Sequence, residues 1–285
     1  VISKVMMKFF DFNIHPNYNF SNDLENHISN ELNAHPKEIE KSLYQFLSKC
    51  QSNNNISGFN FMIFTSYFED KPTELNNFYK KIKFKLNNQN LIVSFTHLVN
   101  PEISSPKTYL QTLSAQGVKF IKFHPYHQQI DSTKYEKCIK VAKYAQEYNM
   151  GICIDASFGT KYLYKHNNLE LASEILLNIE SVPVVILHMG GLRAVEAALL
   201  IEDTPNAYME ISFSPHFYEE LSTYNVLIDA MKILSPKRLI HASDYPYIDL
   251  NESIEVTKRL IKRSDIAKED AENIYWHNAF NLINK

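Results

Sequence analysis

The chain has 285 residues, 45% of them hydrophobic, and a formal net charge of -3, enough to fill one large core and close to the roughly 250 residues typical of a (β/α)8 barrel. Lys and Arg are scattered without a basic stripe, which argues against a nucleic-acid partner. Cys50, Cys138 and Cys153 are too few and too widely spaced for a disulfide framework or a cysteine zinc site, no apolar run approaches the roughly 18 residues a membrane span needs, and the N-terminus lacks a secretory pattern. The expectation is a cytoplasmic protein acting on a small molecule.

In chain order, an apolar stretch from Val5 runs into Phe10-Asp11-Phe12-Asn13-Ile14-His15-Pro16, read as the first strand. Strand periodicity puts Asp11, Asn13 and His15 on one face and Phe10, Phe12 and Ile14 on the other. A polar, Asn-rich rim loop is expected over about 17–35, with a helical turn near Asp23. Helix follows over 37–50, where Ile39, Leu43, Phe46 and Leu47 recur at helical spacing after Pro36.

Strands are then expected at 58–64, 91–97, 118–124, 151–155, 184–188, 207–213 and 239–244. Helices are expected between them at 73–86, 105–116, 131–148, 169–179, 192–201 and 217–234, then at 254–262 and in a tail over 268–284. Alternating strands and helices signal parallel βαβ construction. The fold class expected is a single (β/α)8 TIM barrel, with an open doubly wound sheet as the alternative. No Gly-rich phosphate loop follows the first strand, which counts against a nucleotide-binding Rossmann site.

The strands end in polar residues: His15, His97, His124, Asp155, His188 and Asp244. In a parallel barrel the carboxyl ends share one rim, where active sites lie. Lys122 shares its strand face with His124, so both are candidates to face the barrel axis and touch substrate. His97, His241 and Glu210 are read as structural or supporting residues. A Lys122–Asp155 ion pair is an open reading, and such a pair could replace a metal.

Four segments, Phe10 to Pro16, Val118 to Pro125, Ile186-Leu187-His188-Met189-Gly190-Gly191 and Ala242-Ser243-Asp244-Tyr245-Pro246, together resemble the amidohydrolase superfamily. Within it the resemblance is to the amidohydrolase-2 group, relatives of aminocarboxymuconate-semialdehyde decarboxylase and pyrone-dicarboxylate lactonase. It implies an amidohydrolase-like barrel with one or two divalent metals at the rim. The group's pattern has two histidines on the first strand, one on the fifth, one on the sixth and an aspartate on the eighth. Here His15, His188 and Asp244 match, while Asn13 and Asp155 stand where histidines are expected.

The metal set implied is therefore His15, Asp155 and Asp244, with Asn13 marginal because a carboxamide is a weak ligand, holding one Zn or Mn. Asp244 would move a proton, and His188 would act as acid or stabilise an oxyanion. The reaction expected is hydrolysis or nonoxidative decarboxylation of a small carboxylate or carbonyl compound. A metal-independent lactonase-like hydrolase and a catalytically inactive binding barrel are the alternatives. Relatives of this kind are often homodimers, which makes a homodimer an expectation here.

Overall fold

The computed structural model describes residues 7–15, 32–52, 55–87, 89–157 and 164–285. The strands are β1 (Phe9–Ile14), β2 (Ile56–Ile63), β3 (Ile92–Leu98), β4 (Phe120–Phe123), β5 (Gly151–Ile154), β6 (Val184–Ile186), β7 (Ala207–Ile211) and β8 (Leu239–His241). They pair in sequence order, each neighbour parallel to the last. Helices α1 (Pro36–Ser52), α2 (Pro72–Leu86), α3 (Pro106–Ala115), α4 (Tyr135–Glu147), α5 (Asn168–Leu176) and α6 (Ala194–Glu202) alternate with them. α7 (Ser214–Tyr218) and α8 (Tyr224–Ile233) follow β7, and α9 (Leu250–Arg263), α10 (Lys268–Glu272) and α11 (Asn278–Asn284) follow β8. This is the (β/α)8 barrel.

Proline opens α1, α2 and α3. Its fixed φ suits a first helical turn, and its missing N–H is one the helix would leave unpaired there. The expected helix over 217–234 is two pieces, α7 and α8. The rim loop over 17–35 and its helical turn fall mostly on residues 16–31, outside the described residues.

Two apolar layers hold the barrel. Phe10, Phe12, Phe120, Val185 and Ile240 fill its interior, where Leu282 of α11 joins them. Gly58 and Gly151 make room for this filling, since a Cβ at either would meet the ring of Phe10 or Phe120. The outer layer packs strands on helices and includes Phe9, Ile14, Phe59 and Phe61.

Strict alternation on β1 fails. Asp11 pairs with Phe59 but Ile14 pairs with Phe61, so between Asp11 and Ile14 β1 carries one extra residue, offsetting the one β2 carries between Ile56 and Gly58. This bulge returns Ile14 to the outer layer, separating it from Phe10 and Phe12, and turns the next residue, His15, toward the barrel axis.

β8 and β1 meet at the rim through one parallel bridge, Ile14 with Tyr245. The Asp244 amide donates to the Asn13 carbonyl at 3.0 Å and the His15 amide to the Tyr245 carbonyl at 2.7 Å. Asp11 adds a side-chain clamp, its Oδ1 accepting from the Ser243 amide at 2.9 Å and the Asn13 amide at 3.2 Å.

Candidate active site at the barrel rim

The charged side chains gather at the carboxyl ends of the strands, and Asp155 is their hub. It follows β5 and is buried. Its Oδ2 lies 3.0 Å from Lys122 Nζ, 3.0 Å from His188 Nε2 and 3.4 Å from His124 Nε2. Its Oδ1 accepts from the Ser157 hydroxyl at 2.6 Å and the Ser157 amide at 3.2 Å.

Lys122 reaches this point because it lies two residues after Phe120 on β4 and shares its inward face, while Ile121 and Phe123 face the outer layer. Its ammonium also stands 3.4 Å from His15 Nε2, and His15 Nε2 lies 3.6 Å from Asp244 Oδ1. His124 stacks on His127 with ring centroids 3.8 Å apart.

Burial opposes every charge here, so the partners decide which groups remain ionised. Burial would raise the Asp155 carboxyl, but His124, Lys122 and His188 hold it well below the usual carboxylate range. Burial likewise opposes charge on His188, and Asp155 and Asp244 overcome it, lifting the imidazole to about 9. Lys122 is raised against its burial by Asp155 and Asp244. His15 and His124 go well down, driven first by burial. Asp244 is pushed up by burial, against the pull of His188 and Lys122.

The site thus presents two fixed cations on one carboxylate, two neutral imidazoles, and a second carboxylate that holds a proton more readily than usual.

All seven candidate residues, Asn13, His15, Lys122, His124, Asp155, His188 and Asp244, lie near the strand ends. Contacts join six of them. Asn13 is the exception: its carboxamide is buried, and among the described residues neither of its polar atoms has a hydrogen-bond partner.

His97 and His241 face the outer layer instead. His97 sits between the hydroxyls of Tyr79 and Tyr109, at 2.8 and 2.9 Å, and His241 meets Thr257 at 3.0 Å. Three contributors went unread in the sequence: Asp11 as clamp of the closure, and Ser212 and Ser214 beside His188. The run Glu210-Ile211-Ser212-Phe213-Ser214, three polar residues at strand spacing, was the available signal.

The expected Zn or Mn does not fit this arrangement. Among the described residues no group of three or more His, Cys, Asp or Glu side chains is placed to hold a metal ion. Lys122 is the physical reason, because its ammonium lies between His15 and Asp155, the two donors a metal would have to share. A dication about 4 Å from that ammonium would meet repulsion on the order of 8 kcal/mol at an effective dielectric constant near 20.

Eight parallel strands, outer helices and a charged carboxyl-end rim define the architecture on which many barrel enzymes build their sites. The amidohydrolase family model matches residues 88–284, and the chain belongs to the amidohydrolase family.

Among solved structures it is similar to a probable 2-pyrone-4,6-dicarboxylic acid hydrolase from Acinetobacter baumannii with citric acid bound. The TM-score is 0.64 at 16% identity, covering 98% of this chain and 100% of that one. An uncharacterised TIM-barrel protein from Bordetella bronchiseptica gives a TM-score of 0.67 at 14% identity, covering 98% and 99%. A dihydroxybenzoic acid decarboxylase from a Polaromonas species, with bound manganese and the inhibitor 2-nitroresorcinol, gives 0.62 at 10% identity, covering 98% and 97%. At these identities the likeness is one of fold. No curated protein matches the sequence.

Proposed function

We propose that the chain is an enzyme that hydrolyses a small carboxylate or carbonyl compound at this rim, with Lys122 supplying the positive charge that a metal supplies elsewhere. The observation that carries the reading is the Asp155 hub, which fixes Lys122 and His188 as cations at 3.0 Å each while Asp244 stands apart beside His15.

Substrate carbonyl oxygen would be drawn to the Lys122 ammonium beside the His188 imidazolium, whose charges stabilise the negative charge that develops there. Asp244, desolvated and so a stronger base than an exposed carboxylate, takes a proton from the attacking water. Water oxygen bonds to the carbonyl carbon, the bond to the leaving group breaks, and the proton passes from Asp244 to the departing atom. His15 steers that water, and His124 contacts the substrate beside Asp155.

Small lactones and carboxylates, headed by 2-pyrone-4,6-dicarboxylate and dihydroxybenzoate, are the probes. Lactone hydrolysis that is insensitive to EDTA is expected, with Asp244→Asn lowering kcat by about 10³-fold or more, of the order expected for loss of a general base, at unchanged circular dichroism. Near one equivalent of Zn or Mn, whose removal abolishes turnover, would restore the metal reading. CO2 release from dihydroxybenzoate would reassign the reaction to decarboxylation. Failure on every probe, with tight binding of one, would make the barrel a binding protein.

A further inference from the structure

We propose that Asn13 is a substrate-binding residue whose carboxamide, together with the Oδ1 atom of Asn60, receives a hydroxyl group of the substrate. The inference rests on reading the rim as a site for a small carboxylate or carbonyl compound, and it adds that the compound is hydroxylated.

The register of β1 against β2 brings the two side chains together. Between the pairs Asp11–Phe59 and Ile14–Phe61, two residues of β1, Phe12 and Asn13, stand opposite one of β2, Asn60. Phe59, Phe61 and Ile14 belong to the outer layer and Phe12 to the interior, so the residues enclosed by these pairs share the inward face. His15, two residues on, is inward as well, 3.4 Å from the Lys122 ammonium. The Asn13 carboxamide therefore lies on the face that carries the charged rim.

Both asparagines are fully buried, and among the described residues neither amide atom of Asn13 nor Oδ1 of Asn60 has a hydrogen-bond partner. Asn60 cannot turn to remedy this. Its Nδ2 donates to the Phe12 carbonyl at 3.0 Å and to Thr96 Oγ1 at 2.8 Å, which fixes its oxygen on the other side. The Asn13 backbone is held as firmly, its amide donating to Asp11 Oδ1 at 3.2 Å and its carbonyl accepting from the Asp244 amide at 3.0 Å. Buried polar groups are nearly always paired, and three unpaired atoms in one place destabilise a fold. Such a defect is retained where function needs it.

The donor set selects the ligand. Asn13 offers N–H and C=O side by side, and Asn60 offers a second C=O. A carboxylate, which only accepts, would satisfy Asn13 Nδ2 and face two unpaired oxygens. A hydroxyl both takes a hydrogen and gives one, so it accepts from Asn13 Nδ2 and donates to an amide oxygen of Asn13 or Asn60. The charged end of the substrate belongs at Lys122 and its hydroxyl at Asn13. An amide in water must release solvent to meet a ligand, whereas this one is already desolvated, so nearly the whole hydrogen bond counts toward binding.

The test is isothermal titration of the full-length protein with pairs of small acids that differ by one hydroxyl, malate with succinate and 3-hydroxybenzoate with benzoate. In at least one pair the native protein is expected to bind the hydroxylated acid about 10- to 100-fold more tightly, the range that one buried, unpaired polar group commands. Asn13→Leu, an apolar replacement of similar volume, should erase that preference. Asn13→Ala should do the same and takes its place if the leucine variant does not fold. The ratio within a pair cancels any general loosening of the site, so a merely structural Asn13 would leave it unmoved.

A native protein that favours neither hydroxylated acid, whether it binds both members of each pair alike or binds none, would overturn the proposal and make the asparagine pair a seat for internal water. A preference that survives in a folded Asn13 variant would overturn it too. Binding alone decides the matter, so absence of hydrolysis would refute the proposed reaction and leave this result standing.

Discussion

His97 and His188 sit in equally dry surroundings, yet the protein treats them as opposites. His97, on the outer face of β3, has only the hydroxyls of Tyr79 and Tyr109 on its two nitrogens, and burial takes its pKa down to about 3. His188, past the end of β6, has a carboxylate on one nitrogen, and its pKa rises to about 9 in spite of burial. Burial pushes both rings toward neutrality. Nearby carboxylates, Asp155 first and then Asp244, reverse the outcome, so the difference between a neutral and a charged histidine lies in the partners and not in the depth.

The sharpest way to break this comparison is to remove the charge. Asp155→Asn would remove the carboxylate in contact with Lys122 and His188 and leave two buried cations in the weaker field of Asp244, and breaking a buried pair in this way costs about 3–5 kcal/mol. Urea unfolding should show that loss, and a loss below about 1 kcal/mol, the ceiling for exposed pairs, would mean water screens the hub.

Next in size is His97→Leu, which strands two buried tyrosine hydroxyls at about 1–3 kcal/mol each. It should lower stability by about 2–6 kcal/mol on that basis while leaving turnover at the rim intact. Lost turnover at normal stability would show that His97 is coupled to the site.

The smallest effect is in pH. His188 has a folded pKa raised from 6.5 to about 9, so its contribution is fully present below 6.5 and is lost as pH rises through 9. His97 has a folded pKa lowered from 6.5 to about 3, so its contribution is present above 6.5 and is lost as pH falls toward 3. Thermal unfolding across this range should give a midpoint that declines on both sides of pH 6.5, by at most a few kcal/mol in stability on each. His97→Leu should make the acid arm shallower, the rest of it coming from His15, His124 and Asp155, and leave the alkaline arm as it was, and a native curve that is flat to pH 9 would remove the imidazolium at His188.

The barrel was legible in the sequence because each of its units repeats one pattern, an apolar run ending in a polar residue followed by a helix of apolar spacing. Strand ends were read too long, as with 184–188 against Val184–Ile186 and 239–244 against Leu239–His241. At the rim the chain stops laddering and spends its amides on side chains, as His188 does on Glu210, and composition does not mark that change. His15, Lys122, Asp155, His188 and Asp244 were legible because they end strands or share an inward face. The bulge of β1 was not, since an extra residue leaves no trace in an alternation whose outward and inward residues are both aromatic or polar.

The closure between β8 and β1 has a temporal consequence. The seven other strand contacts are ladders, whereas this one relies at the rim on a bridge and the Asp11 clamp. Breathing of the sheet therefore begins there, and amide exchange at Ser243 and Asp244 should report a local opening well below the global unfolding free energy. His15 belongs to one lip and Asp244 to the other, so each opening draws these two side chains apart and each reclosure brings them back together.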